Sequence, residues 1–251
     1  MKITVLGSGT STGVPELRCD CRVCNSDNPK DVRMRASVMI ESDGESVMID
    51  CGPDFRSQML NNKDLNPSSV IITHTHYDHV AGLDDIRPFT RGKAVNIYAE
   101  ETAAQHIIKT NSYMFADKRY PGTPDVKMNI IDLDDFNIGK LKITPIRLMH
   151  YKLPVLGYRI GDFAYLTDLS EVDECEFEKL KDLKILFLGV IRHRPHMAHL
   201  HLSKGIELIN RISPEKTYLT HLCHHIGLHD IIEETLPDNI YLAYDGLKLN
   251  M

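Results

Sequence analysis

Short β-branched apolar runs recur along the chain between polar and turn-forming stretches, the pattern of strands buried in sheets. Lys2–Leu6 is the first. Ala36–Glu41 and Ser46–Ile49 flank Asp43-Gly44, a dipeptide suited to a tight hairpin. Val70–Ile72 and Val95–Ala99 follow. In the second half Val126–Ile131, Lys140–Leu148, Leu156–Ile160, Phe163–Leu166, Ile185–Val190, Thr217–Leu219 and segments near Tyr241 and Lys248 read the same way. Helical spacing lies between them. Asp54–Asn61 puts Phe55, Met59 and Leu60 on one face; Asp84–Arg91, Glu100–Lys109, Asp173–Leu180 and Gly227–Leu236 are further helices, and Ser203 caps a helix to Arg211. Residues 110–125 are polar and aromatic, and suit either a lid or an ordinary surface insertion. No linker or low-complexity segment interrupts the chain, which predicts one domain over 1–251 with halves meeting near residue 125.

Composition narrows the function classes. With 251 residues, 42% hydrophobic and 25% charged, a core forms without disulfides. The net charge of −6 disfavours a nucleic-acid partner, which needs a basic footprint. No run approaches the ~20 apolar residues of a membrane span, and Gly-Ser-Gly follows Leu6 at once, unlike a signal peptide. The expected location is cytoplasmic, with no membrane partner. In that reducing setting a cluster among six cysteines points to a metal and not to disulfides.

The chemistry concentrates directly after Val70–Ile72, in Thr-His-Thr-His-Tyr-Asp-His. If the chain is still extended, His74 and His76 share a side, because strand side chains alternate. If a helix starts near Asp78, then Asp78 and His79 turn to a second direction, so one stretch feeds two adjacent metal sites. Clustered imidazoles without a ligand leave several ring nitrogens seeking partners. Cys19, Cys21 and Cys24 lie within six residues and suit a structural tetrahedral Zn2+ lacking one ligand. His224, three residues after His221, is the expected fourth, with Cys223 and His225 as rivals. The loop Gly7–Gly13 offers backbone amides to an anion or is simply a flexible turn.

The His-x-His-x-Asp-His stretch resembles the metallo-β-lactamase superfamily signature. The resemblance extends to His150 in Ile-Arg-Leu-Met-His, Asp168 in Tyr-Leu-Thr-Asp and His221 in Tyr-Leu-Thr-His, each after an apolar run. It implies an α+β four-layer αββα sandwich, with two mixed sheets packed face to face and helices outside. It also implies two divalent catalytic metals, Zn2+ or Mn2+. His74, His76 and His150 would hold the first; Asp78, His79 and His221 would hold the second; Asp168 would bridge. Asp50 falls where relatives place a residue that steadies the histidine loop.

The cysteine loop with His224, and the closing Tyr244-Asp245-Gly246-Leu247, resemble the phosphoribosyl cyclic phosphate phosphodiesterases. Asp50-Cys51-Gly52-Pro53-Asp54-Phe55 is similar to pyrroloquinoline-quinone biosynthesis relatives, which leaves the subfamily open. The resemblance implies a metal-dependent phosphoric diester hydrolase acting on a small cyclic or nucleotide-like phosphodiester. An RNA-processing endonuclease like the tRNA-end-processing family and a non-catalytic cofactor-biosynthesis carrier are the alternatives. Asp78 is the expected catalytic ligand from the motif. Among His193, His196, His199 and His201, alignment to the resembled family puts the general acid at His199. His199 and His201, two apart, would both face substrate if extended. Relatives are commonly dimers, which makes a homodimer the expectation.

Overall fold

The computed structural model describes residues 1–251. Alternate side chains of each strand leave on opposite faces, and the apolar residues divide accordingly. On β1 (Lys2–Gly7) Ile3 and Val5 enter one core while Leu6 enters another. β2 (Ser37–Ser42) and β3 (Glu45–Ile49) repeat the division: Val38, Ile40, Val47 and Ile49 on one side, Met39 and Met48 on the other. β4 (Ser69–Ile71), β5 (Val95–Glu100) and β6 (Val126–Ile131) continue this sheet with parallel pairings. The second sheet comprises β7 (Phe136–Ile138), β8 (Leu141–His150), β9 (Leu153–Ile160), β10 (Phe163–Leu166), β11 (Glu171–Val172), β12 (Ile185–Gly189), β13 (Lys216–Thr220) and β14 (Ile240–Leu242). β15 (Lys248–Asn250) returns to pair with β1, giving the first sheet the order β15-β1-β2-β3-β4-β5-β6.

Ile143, Leu156, Tyr158, Tyr165 and Phe187 of the second sheet meet Ile3, Val5, Val38 and Ile49 of the first, so the sheets pack face to face. Outside the first sheet lie α1 (Phe55–Asn61), through Phe55 and Met59, the single turn α2 (Tyr77–Val80), α3 (Glu101–Thr110), through Ala104 and Ile107, and α4 (Ser112–Phe115), through Met114. Outside the second lie α5 (Leu202–Ile212), through Ile209 and Ile212, and the short α6 (His229–Glu233). This is the expected αββα sandwich of mixed sheets. No helix is long and apolar enough to cross a membrane.

Several details differ from the sequence reading. The chain crosses between sheets after Ile131, not near 125, because β6 still pairs with β5 over its whole length. Asp84–Arg91 and Asp173–Leu180 are 3₁₀ segments, Leu83–Thr90 and Glu174–Leu180; Pro88 inside the first removes an amide an α-helix needs. The last helix is shorter than expected, His229–Glu233, and Gly227, at φ 108°, keeps it from starting earlier. Ser203 is not the cap of α5: His201 holds the cap position and the Ser203 hydroxyl meets His201 Nδ1 at 2.9 Å. Residues 110–125 begin as a packed segment, with Met114 buried beneath α3 and Tyr113 donating to Asp84.

Candidate metal centres

The site forms where strands end. Beyond Ile71 of β4 the chain bends at Thr73 and turns into α2 at Tyr77. The two expected directions are not cleanly separate: the His74 ring packs 4.5 Å from that of His76 and 4.2 Å from that of His79. His150 closes β8, Asp168 follows β10 and His221 follows β13. Asp50, Asp168 and His221 stand at φ 62°, 50° and 57°, in the left-handed region that non-glycine residues enter rarely and at a cost of about 1–3 kcal/mol. Asp168 and His221 there turn their strand ends to point candidate ligands into the cluster, and Asp50 turns toward Thr73 and His79.

Hydrogen bonds decide which imidazole nitrogen faces inward. Asp50, fully buried, accepts from the Thr73 amide and hydroxyl at 2.8 Å each and from His79 Nδ1 at 2.7 Å. With the Thr73 hydroxyl donating to Asp50, its oxygen accepts from His74 Nδ1 at 3.0 Å. His150 Nδ1 donates to the Ala198 carbonyl at 2.8 Å. The Nε2 atoms of His74, His79 and His150 are thereby left as acceptors, the tautomer a cation needs.

His79 Nε2 lies 3.2 Å from Asp78 and 3.1 Å from Asp168; His221 Nε2 lies 3.5 and 3.1 Å from the same carboxylates. Donors around one tetrahedral ion with bonds of ~2.0–2.1 Å stand roughly 3.3 Å apart, so this spacing fits a metal. His79 Nε2 and both ring nitrogens of His221 are buried without a hydrogen-bond partner, which supports the same fit. The other set is looser. His74 Nε2 is 2.9 Å from His76 Nδ1, and the His150 ring is 5.8 and 5.2 Å from those of His74 and His76. Asp168 belongs to both sides: its carboxylate groups with His74 and His79, and also with His150 and His199. The structure brings all seven expected ligands into one cluster.

The field in this cluster favours positive charge. Burial opposes the charged form of Asp168, but His221 and His79 hold it well below the usual carboxylate range. Burial likewise opposes a charged His79, yet Asp50 and then Asp168 drive it well above the ordinary imidazole value. His74 goes the other way, pushed down by burial and then by His79.

His199 joins the centre. Its Nδ1 is 3.6 Å from Asp168, and its ring packs 4.6 Å from His150 and 5.1 Å from His221. Burial and then His221 push it down to about 3, with Asp168 pulling the other way. His201, grouped with it in the sequence reading, turns instead to Ser203, because it ends the extended stretch and opens α5. His196 is half-buried with its ring 4.9 Å from His199.

The cysteine loop meets the late histidine as expected. His224 Nδ1 lies 3.1, 3.3 and 3.4 Å from the sulfurs of Cys19, Cys21 and Cys24, while Cys223 and His225 stand outside the group. Burial works against a Cys21 thiolate, but the Cys24 amide and then His224 hold its thiol down, whereas burial pushes the Cys24 thiol up. Sequence reasoning missed Glu16, whose carboxylate lies 3.4 Å from His224 Nε2 and fixes Nδ1 toward the sulfurs. Its place three residues before Cys19 was the available signal. The donor set is that of a structural Zn2+. Cys21→Ser replaces a thiolate with a poor ligand and should lose about one zinc per chain and lower Tm by at least ~5 °C. Elemental analysis and calorimetry measure both; full zinc with unchanged Tm would show that the thiols hold no metal.

Residues 45–222, well over half of the chain, match the family model described as a β-lactamase superfamily domain. The chain belongs to the β-lactamase superfamily. Its members of metallo-β-lactamase fold bind divalent metals, and clusters of His, Asp and Cys that could hold such ions are present here. Across all of its length this superfamily member superposes, with a TM-score of 0.92 and 38% identity, on 97% of a crystal structure described as a new diphosphatase from the PhnP family. It also superposes, with a TM-score of 0.79 but only 18% identity, on the whole of Zn2+-bound PqqB from Methylobacterium extorquens, a likeness of fold. Among curated proteins it is 41% identical over 251 residues to a protein of Porphyromonas gingivalis named octanoyltransferase. That alignment takes 99% of this chain but 51% of the relative, so the chain spans about half the length of that relative.

Proposed function

We propose that this chain is a dinuclear metal-dependent phosphodiesterase that cleaves a small cyclic or nucleotide-like phosphodiester with water. The observation that carries the reading is the position of Asp168, shared between two groups of histidine ligands, with His199 beside it. The likeness to a diphosphatase over the whole chain supports phosphoryl chemistry. Two bound divalent cations would make water more acidic and neutralise charge on the phosphoryl oxygens. The chain's own residues do the rest. Asp50 and Thr73 orient His74 and His79. The Ala198 carbonyl orients His150 and so ties the His199 loop to the ligand cluster. His199 delivers the proton to the departing oxygen.

Hydrolysis of bis(4-nitrophenyl) phosphate by metal-quantified protein, with and without chelator, tests the reading. Chelator-sensitive release of nitrophenolate is expected, and its absence in fully metallated protein would sink it. Metal content should be about three per chain, two catalytic and one structural. A content that stays near one after supplementation would remove the dinuclear assignment.

The Porphyromonas gingivalis relative favours one partner. About half of it aligns with this chain, and its name describes octanoyl transfer. We propose that this chain works beside a protein that carries out such transfer. Co-purification of the two from mixed lysates is expected; independent elution at micromolar concentration would reject it.

A further inference from the structure

Asp245, in the closing Tyr244-Asp245-Gly246-Leu247, has no part in the chemistry above, yet its carboxylate joins two distant segments. Oδ1 accepts from the Ser8 amide and the Ser8 hydroxyl at 2.8 Å each, and Oδ2 accepts from the Met34 amide at 2.7 Å. The Ser8 hydroxyl in turn accepts from Nη1 of the buried Arg33 at 2.9 Å. Arg33 also donates to the Ala243 carbonyl and meets His229 Nδ1 at 3.1 Å. Burial pushes the Asp245 carboxyl up to about 6, with the Met34 amide and then Ser8 pulling the other way.

The segment held in this way is the template for the turn after β13. Leu222, fully buried, pairs with it twice: its amide donates to the Ser8 carbonyl at 2.9 Å, and its carbonyl accepts from the Thr10 amide at 3.1 Å. Gly9 lies between, its amide on the Met34 carbonyl at 2.8 Å and its carbonyl on the Ala36 amide at 2.9 Å. A Cβ at Gly9 would come within 2.9 Å of the Arg33 Cβ and carbonyl oxygen, so glycine lets the segments lie this close. On one side of Leu222 stands His221 of the dinuclear cluster, and two residues beyond it stands His224 of the cysteine group.

His221 depends on this support more than its companions do. Nδ1 of His74, of His79 and of His150 each has a hydrogen-bond partner that fixes the ring. Neither ring nitrogen of His221 has one. Its direction therefore follows from its backbone, which stands at φ 57°. A metal ligand without an orienting partner is placed only as well as the chain that carries it.

We infer that Asp245 is a positioning residue for both metal sites: through Ser8 and Met34 it sets residues 7–13 against Leu222, and so fixes the directions of His221 and His224. This goes beyond the phosphodiesterase reading and is independent of the substrate. It rests on those two histidines being ligands.

Zinc transfer from fully loaded protein to a chromophoric chelator measures the affinity of each site, and Co2+-loaded protein reports the cysteine site through its sulfur-to-cobalt absorption. Neither readout uses turnover, so failure of the phosphodiesterase reading leaves the test standing. Asp245→Asn keeps the size but sets an N–H against one of the donors. It should weaken zinc binding at the dinuclear centre about 10- to 100-fold, the usual loss when a group that orients a ligand is removed, and shift the sulfur-to-cobalt band. Asp245→Glu keeps the charge and should recover part of the loss. Ser8→Ala removes one donor, should lose a smaller factor, and decides the matter if Asp245→Asn fails to fold. Ile107→Val, buried in α3 outside the first sheet, controls for stability: Tm should fall with both sites unchanged. Lower Tm with unchanged zinc affinity and cobalt spectrum in Asp245→Asn and Ser8→Ala would overturn the positioning role. His221→Ala should weaken zinc at least as much as Asp245→Asn; unchanged affinity there would overturn the ligand assignment, and the positioning role with it.

Discussion

Asp168→Asn is expected to lower turnover of a model phosphodiester to the background rate and to release at least one of the two catalytic metals proposed above. The carboxylate sits 3.1 Å from Nε2 of both His79 and His221 and 3.6 Å from Nδ1 of His199, and shares a ligand group with His74 and another with His150. Two cations held side by side repel, and a negative oxygen between them offsets that repulsion. An amide is close in size but neutral, and one of its two terminal atoms is an N–H donor that cannot ligate. Burial at 3% exposure leaves no water to substitute for the lost charge. Metal analysis beside the kinetics makes the test specific. If the variant kept both metals and near wild-type turnover, another residue would be the bridge.

His199→Ala should reduce turnover by roughly two to four orders of magnitude, the usual range for general acid catalysis, while leaving metal content unchanged. A departing alkoxide needs a proton, and the His199 ring is wedged among His150, His196 and His221 at the edge of the centre. Burial and His221 keep the imidazole neutral at rest. An anionic phosphodiester drawn in beside it adds negative charge, which works with Asp168 to favour the protonated ring. The loss should shrink on a nitrophenyl ester, whose leaving group scarcely needs protonation. An equal loss on good and poor leaving groups would indicate phosphate binding in place of proton donation. Since His201 is turned to Ser203, His201→Ala should have little effect.

Legibility in the sequence followed locality. His74, His76, Asp78 and His79 were readable because a strand end and a helix start are both written in neighbouring residues, and α2 begins at Tyr77 as their spacing requires. His150, Asp168 and His221 carry no local signature; a single histidine or aspartate after a strand means little without the superfamily pattern. The Ala198 carbonyl was invisible, because its contact depends on segments far apart meeting in space, and Glu16 offered only its place near the cysteine loop. β7 and β11, of three and two residues, are too short to show alternation. Nothing marked His196 out among the loop histidines, because a polar loop gives no hint that His199 packs against it.

The left-handed backbone at Asp168 and His221 sets stability against function. Glycine adopts such φ values without the steric cost of a Cβ, so either position would relax by about 1 kcal/mol or more as glycine. The same exchange removes a proposed metal ligand. A library selected for heat resistance alone should therefore drift toward glycine at residues 168 and 221 and lose its chemistry, while one selected for turnover should keep the strained side chains. These two turns mark where a thermostabilised variant of this fold would stop being an enzyme.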